Sequence, residues 1–170
     1  MTDGGSDAFA AFVAARQRAL VRAATLVSGD PHLAQDLVQE ALIKLALRWD
    51  RVGAGDPEAY VRRILYRDLV SWRRRWRRER LGDAAEEPAT DPAAGTDERI
   101  ALRAALARLT AKQRAVLVLR FYEDLSVHRT AELLGVTAGT VKSQTSAALD
   151  RIRAIAPQLD GPIAEEVTRD

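Results

Sequence analysis

The residues whose types and spacing say most about chemistry lie near the C-terminus, in SVHRTAELLGVTAGTVKSQTSAALDRIR from Ser126 to Arg153. Ala131 sits where two helices must approach closely. Gly135 follows where a turn needs a left-handed backbone, and Val136 where an apolar plug fits beneath it. Thr137 is placed to cap the next helix. At 100° per residue, Val141, Thr145, Ala148, Leu149 and Ile152 share one face of that helix. Gly139, Ser143, Ser146, Ala147 and Asp150 fall opposite, with Thr140 and Lys142 on the flanks. Small polar residues on the outward N-terminal half let a helix enter a DNA major groove and bring its first turns to the base edges. Lys142 is placed for a base acceptor or a phosphate, and Arg151 and Arg153 for the backbone further along. The bland alternative is a helical hairpin with a glycine turn. The joint spacing of Ala131, Gly135, Val136 and Val141 favours a DNA-reading helix-turn-helix over it.

A second stretch, AYVRRILYRDLVSWRRRWRRER, interleaves arginines with Tyr60, Tyr66, Trp72 and Trp76. Residues 62–80 carry nine arginines against Asp68 and Glu79, a local charge of +7. Arginine supplies phosphate contacts, and aromatic faces stack on unpaired bases. Tyr66, Arg67, Trp72, Arg73, Arg74, Trp76 and Arg77 are therefore candidates for holding a separated strand. A solvated helix end with buried tryptophans is the competing reading. A membrane-surface helix fits less well, because apolar residues thin out where the charge is densest.

Catalytic chemistry finds little support. There is no cysteine, which removes disulfides, thiol catalysis and Cys-ligated zinc. His32 and His128 lie far apart with no ligand spacing around them. Asp36, Glu40 and Glu132 form no convincing pair or triad with a base, and no glycine-rich phosphate loop is present. No metal, cofactor or enzymatic activity is expected. No apolar run has the length of a membrane span, and the acidic start differs from a signal peptide, so a cytoplasmic location without membrane insertion is expected.

The elements that must position these residues are all helices. Ala, Leu and Arg dominate a chain with 47% hydrophobic residues, and no convincing alternating strand appears. A first helix is expected from Ser6 to Ser28, ended by Gly29. Asp30-Pro31 opens a second, reaching about Trp49. Gly53-Ala54-Gly55 is a break, and Asp56-Pro57 opens a third helix running to about Arg80. Residues 81–97 hold two prolines, two glycines and five acids, the composition of a flexible acidic linker spanning at most roughly 60 Å. Beyond it come a helix reading ERIALRAALARL, a capping box from Thr110 to Gln113, a short helix capped by Ser126, and the last helix to Ile155. The fold class is thus all-α: a first domain at 6–80, a linker at 81–97 and a second domain at 98–155.

In this order the blocks AQDLVQEALIKLALRW, DPEAYVRRILYRDLVSWRRR, LTAKQRAVLVLRFYEDLS and TAELLGVTAGTVKSQTSAALDRIR resemble the extracytoplasmic-function sigma factors of the sigma-70 family. The likeness is strongest to the actinobacterial SigE-like members. The resemblance implies a subunit that binds core RNA polymerase, through its β′ and β subunits, directs it to promoter DNA and helps open the strands. The first domain would be region 2, with Asp36, Gln39 and Glu40 contacting a β′ coiled coil. Its third helix would hold the −10 element, and the Gly53–Gly55 turn would capture a flipped base. The second domain would be region 4, reading the −35 element through Thr137, Gly139, Thr140, Lys142, Ser143, Ser146 and Arg151. An anti-sigma partner between the domains is a further implication. Arg67 stands where many relatives have asparagine, Ala147 where many have arginine, and LSVHRT replaces a usual acidic residue or two. A stand-alone helix-turn-helix regulator, binding a palindrome as a dimer, is the alternative; it lacks a sensor pocket and a heptad seam.

Overall fold

The computed structural model describes residues 3–79 and 97–157. The expected acidic linker, apart from Asp97, and the residues after Pro157 lie outside the described residues. Eight α-helices and one π-helical turn make up the regular structure among them.

Helix α1 (Asp3–Ser28) ends at Gly29, whose φ of 77° reverses the chain. Asp30 then caps α2 (Pro31–Ala46), accepting from the backbone N–H groups of His32 at 2.9 Å and Leu33 at 3.1 Å. Helix α2 stops before the expected Trp49. The chain turns through Leu47 and Arg48 into a four-residue helix α3 (Trp49–Val52). The reason is tertiary. The turn seats the Trp49 indole edge-on to Phe9, with ring centroids 5.3 Å apart, and against Phe12 at 5.8 Å. Asp56 caps α4 (Pro57–Glu79) through the Ala59 N–H at 2.8 Å. Leu20, Ala23, Ala24, Val27, Val38, Ala41, Leu45, Val61, Leu65 and Leu69 fill the space between α1, α2 and α4.

The second domain begins with α5 (Asp97–Ala107). Thr110 and Gln113 form the expected capping box on α6 (Ala111–Leu117), with Gln113 N–H to Thr110 Oγ1 at 3.2 Å and Thr110 N–H to Gln113 Oε1 at 3.0 Å. A π turn over Val118–Tyr122 continues α6. Ser126 caps α7 (Val127–Leu134), and Thr137 caps α8 (Ala138–Ile155).

The two units share a core instead of standing apart. Ala115, Val118 and Leu119 of the second domain, with Leu133 of α7, are buried in the same cluster as the first-domain residues. A separate cluster of Ala105, Leu106, Leu109, Leu117, Ala148, Leu149 and Ile152 packs α5 and α6 against α8. The α6–π segment thus contributes to both sides.

Gly53 is constrained by space, not by φ. A Cβ there would lie 2.8 Å from the Trp49 carbonyl oxygen and 2.8 Å from its Cε2, closer than real contacts allow. Gly53→Ala is expected to displace Trp49 and lower stability by about 1–3 kcal/mol, the usual cost of overpacking. Thermal unfolding followed by circular dichroism checks this, and an unchanged midpoint would show that the α3 turn yields freely.

Candidate nucleic-acid interface

The second domain is a helix-turn-helix in geometry as well as in sequence. Gly135 has φ 65° and ψ 39°, the left-handed conformation that ends α7, and its N–H returns to the Glu132 carbonyl. Ala131, Val141 and Val116 form a small buried cluster where α7 and α8 meet. Val141, Ala148, Leu149 and Ile152 are buried, and Thr145 turns its hydroxyl onto the Val141 carbonyl at 2.8 Å. Val136 departs from expectation. It is 36% exposed and lines a small cavity with Val116, Leu134 and Tyr66, while Val116 is the residue packed with Ala131 and Val141.

Helix α8 presents Thr137, Gly139, Thr140, Lys142, Ser143, Ser146 and Arg151 to solvent. Thr137 Oγ1 accepts from the Thr140 N–H at 3.1 Å, fixing the first turn. The helix N-terminus with its unpaired N–H groups gives the outward end a partial positive charge suited to a phosphate backbone. Arg153 pairs with Asp150 at 3.2 Å.

In the first domain, α2 exposes Asp36, Gln39 and Glu40. Lys44 bridges Glu40 at 3.9 Å and Asp68 of α4 at 2.9 Å, tying the two helices together. Two residues that sequence reasoning passed over complete this face. Ile43 is 53% exposed and Leu47 82% exposed. With Gln39 they recur at four-residue spacing, a stripe alongside the groove of 910 Å³ between α1 and α2. Their signal was available: both are apolar and neither belongs to the inward face of α2.

Helix α4 behaves differently from expectation. Ile64, Leu65 and Leu69 are buried, and Arg67 is exposed. Tyr66 is fully buried, so in this arrangement its ring stacks on no base. Its hydroxyl donates to Glu123 of the second domain at 3.5 Å. Burial, with the Glu123 carboxylate second, pushes the Tyr66 hydroxyl well above the usual tyrosine value. Trp72, Arg73, Arg74, Trp76 and Arg77 continue α4, and their side chains lie outside the described residues.

Ion pairs cross between the units around Tyr66. Glu123, its side chain 6% exposed, pairs with Arg62, which also holds Glu58 at 3.0 Å. Arg16 of α1 reaches Glu58 at 2.7 Å. Arg129 of α7 meets Asp56, the cap of α4, at 2.6 Å, and Arg22 Nε donates to the Tyr122 hydroxyl at 3.2 Å. Among the described residues no cluster of His, Cys, Asp or Glu is arranged to hold a metal ion, and no helix is long and apolar enough to cross a membrane.

An arginine-rich helix and a helix-turn-helix stand in one all-helical chain. Residues 12–79 match the family described as Sigma-70 region 2, and residues 105–154 match Sigma-70, region 4. The chain is 40% identical to an RNA polymerase sigma-E factor of Streptomyces avermitilis, over 85% of this chain and 83% of the relative. It is 36% identical to an RNA polymerase sigma-E factor of Streptomyces coelicolor, over 95% and 94%. A solved structure described as the sigma factor RpoE in complex with the anti-sigma factor NepR from Bartonella quintana superposes with a TM-score of 0.69. It shares 27% identity, over 89% of this chain and 98% of that one. The chain belongs to the sigma-70 family, within its extracytoplasmic-function group, and is an RNA polymerase sigma factor.

The raised Tyr66 value has a testable sign. Below pH 10.0, the ordinary tyrosine value, the hydroxyl is protonated in both folded and unfolded chains and its contribution to stability is fully present. Above it the unfolded chain loses the proton first, so stability falls as pH rises toward the folded value. Unfolding midpoints are expected to drop in strong alkali and to drop less in Tyr66→Phe. Equal slopes for the two proteins would place Tyr66 in a solvated setting.

Proposed function

We propose that this sigma factor docks core polymerase through the exposed face of α2 and reads promoter DNA at two points. The observation that carries the reading is the helix-turn-helix: a left-handed Gly135, a Thr137-capped α8 and an outward first half made of small polar residues. Such a helix enters the major groove with little steric conflict. Thr137, Gly139, Thr140, Lys142, Ser143 and Ser146 would face the −35 element, with Arg151 on the backbone. The late turns of α4, with Arg67, Trp72, Arg73, Arg74, Trp76 and Arg77, would hold the opened strand at the −10 element. The turn at Gly53–Gly55 would receive a flipped base.

For docking, Asp36, Gln39 and Glu40 supply polar contacts and Ile43 with Leu47 an apolar anchor toward the β′ subunit, with β contacted from the second domain. Isolated apolar residues of this size so exposed in one stripe suit a partner helix. The protein acts in the cytoplasm as a binding factor and not as an enzyme, and it needs no cofactor. An anti-sigma protein is a fitting regulator, since the RpoE relative is described in complex with one.

Run-off transcription with core polymerase, on promoters selected genome-wide, tests the whole reading. Promoter-dependent transcripts are expected only when this chain is added, and their absence would overturn it. The double change Ile43→Glu and Leu47→Glu is expected to weaken capture of core polymerase by at least about tenfold, as loss of an apolar anchor does, with an unchanged melting midpoint. Lys142→Ala separates base from phosphate contact. A base contact costs about 1–3 kcal/mol at one promoter position; a phosphate contact weakens all promoters alike and lowers the salt slope by about one.

A further inference from the structure

The groove between α1 and α2 has an apolar floor made by Val13 and Val21 of one helix and Leu42 and Ile43 of the other. Its 910 Å³ lies toward the upper end of the roughly 300–1,000 Å³ of ordinary binding clefts. The charged residues that line it are Arg18 and Arg22, four apart on α1 and so on one face; no acid lines it among the described residues. Arg22 spends its Nε on the Tyr122 hydroxyl, and neither arginine is paired with a carboxylate among the described residues. An apolar floor with cations along one wall selects an amphipathic segment that carries acids along one edge.

The chain contains such a segment. Residues 158–170 read QLDGPIAEEVTRD, with four acids against Arg169, a net charge of −3. Pro162 suits a first helical position. At 100° per residue Ile163 and Val167 share one face. Glu166 and Asp170 follow along its edge with the four-residue spacing of Arg18 and Arg22. The segment also starts in the right place. Ala156 is buried in a cluster against which Leu26 of α1 packs, and Arg22 lies one turn from Leu26, roughly 6 Å along the axis. From Arg22 to Phe9 the groove runs roughly 20 Å, whereas residues 158–170 extend to at most roughly 45 Å.

We infer that residues 158–170 dock in the α1–α2 groove of their own chain. Ile163 and Val167 lie on its apolar floor, and Glu166 and Asp170 face Arg18 and Arg22. Two apolar anchors and two exposed ion pairs bind weakly. A short tether supplies an effective concentration of about millimolar, so a millimolar site is roughly half filled. Gln39 and Ile43 line the groove and belong also to the proposed polymerase face, so the segment and polymerase exclude each other there. That exclusion rests on the proposed docking role of α2. The docking of the segment does not.

The chain has no cysteine, so Glu165→Cys, opposite the two anchors, carries a single spin label on the full chain. Broadening of the Val13, Val21 and Leu42 amide signals is expected, and its loss when Ile163→Asp and Val167→Asp are added. Glu166→Arg with Asp170→Arg should abolish it too. Adding Arg18→Glu with Arg22→Glu to that chain should restore it, which mere damage to α1 would not do. Circular dichroism reports whether the α1 changes fold; if they do not, the two segment variants decide. Unbroadened groove signals, or broadening that survives both segment variants, would overturn the docking. Equal broadening between spin-labelled chains and separate isotope-labelled ones assigns the groove to a second copy and overturns docking within one chain. Capture of core polymerase is read in parallel. Ile163→Asp with Val167→Asp should tighten it by about twofold or more, the factor by which the open groove is enriched. Docking seen by broadening, with capture unchanged, overturns the exclusion and the α2 docking reading and leaves the seated segment standing.

Discussion

The placement of Glu123 governs more of this structure than any single apolar contact. A carboxylate taken almost wholly out of water must be paired, and the partners available are Arg62 and the Tyr66 hydroxyl, both on α4. Satisfying it fixes the second domain against the first. The shared apolar cluster of Val118, Leu119 and Leu133 with Leu65 and Leu69 then closes around it. The pair gives the packing its register, while the buried hydrocarbon supplies most of the driving force.

Much of the local structure was legible in the sequence because its causes are local. Asp30, Asp56, Thr110, Ser126 and Thr137 each announce a helix start through a side chain that reaches an N–H two or three residues ahead. Gly135 announces the turn of the helix-turn-helix by being the residue that tolerates positive φ at least cost. The inward face of α8 follows from 3.6-residue periodicity alone. These features need only a few neighbouring residues, and the structure bears them out.

What the sequence concealed depends on distant partners. No proline or glycine between His32 and Val52 marks the break after Ala46; it exists because Trp49 must reach Phe9 and Phe12, some forty residues earlier. Tyr66 looked like a stacking residue because arginines surround it in sequence, yet an acid 57 residues away captures its hydroxyl. Val136 looked like a buried plug, but the cluster of Ala131 and Val141 is closed by Val116 from another helix, and Val136 stays 36% exposed. On α8 and on the polar face of α2 the sequence pattern and the exposure of the proposed site residues agree. Its apolar part, Ile43 and Leu47, was visible only as hydrophobic residues out of phase.

The π turn at Val118–Tyr122 carries a consequence for how such a chain changes over time. One residue beyond α-helical count shifts everything that follows by about 100° around the axis. Around this turn Leu117 and Phe121 serve the α8 side while Val118 and Leu119 serve the first domain. Deleting one residue in this turn would rotate the segment that follows, Glu123 included, by about 100° relative to α4. A single codon is therefore enough to turn Glu123 away from Arg62 and Tyr66.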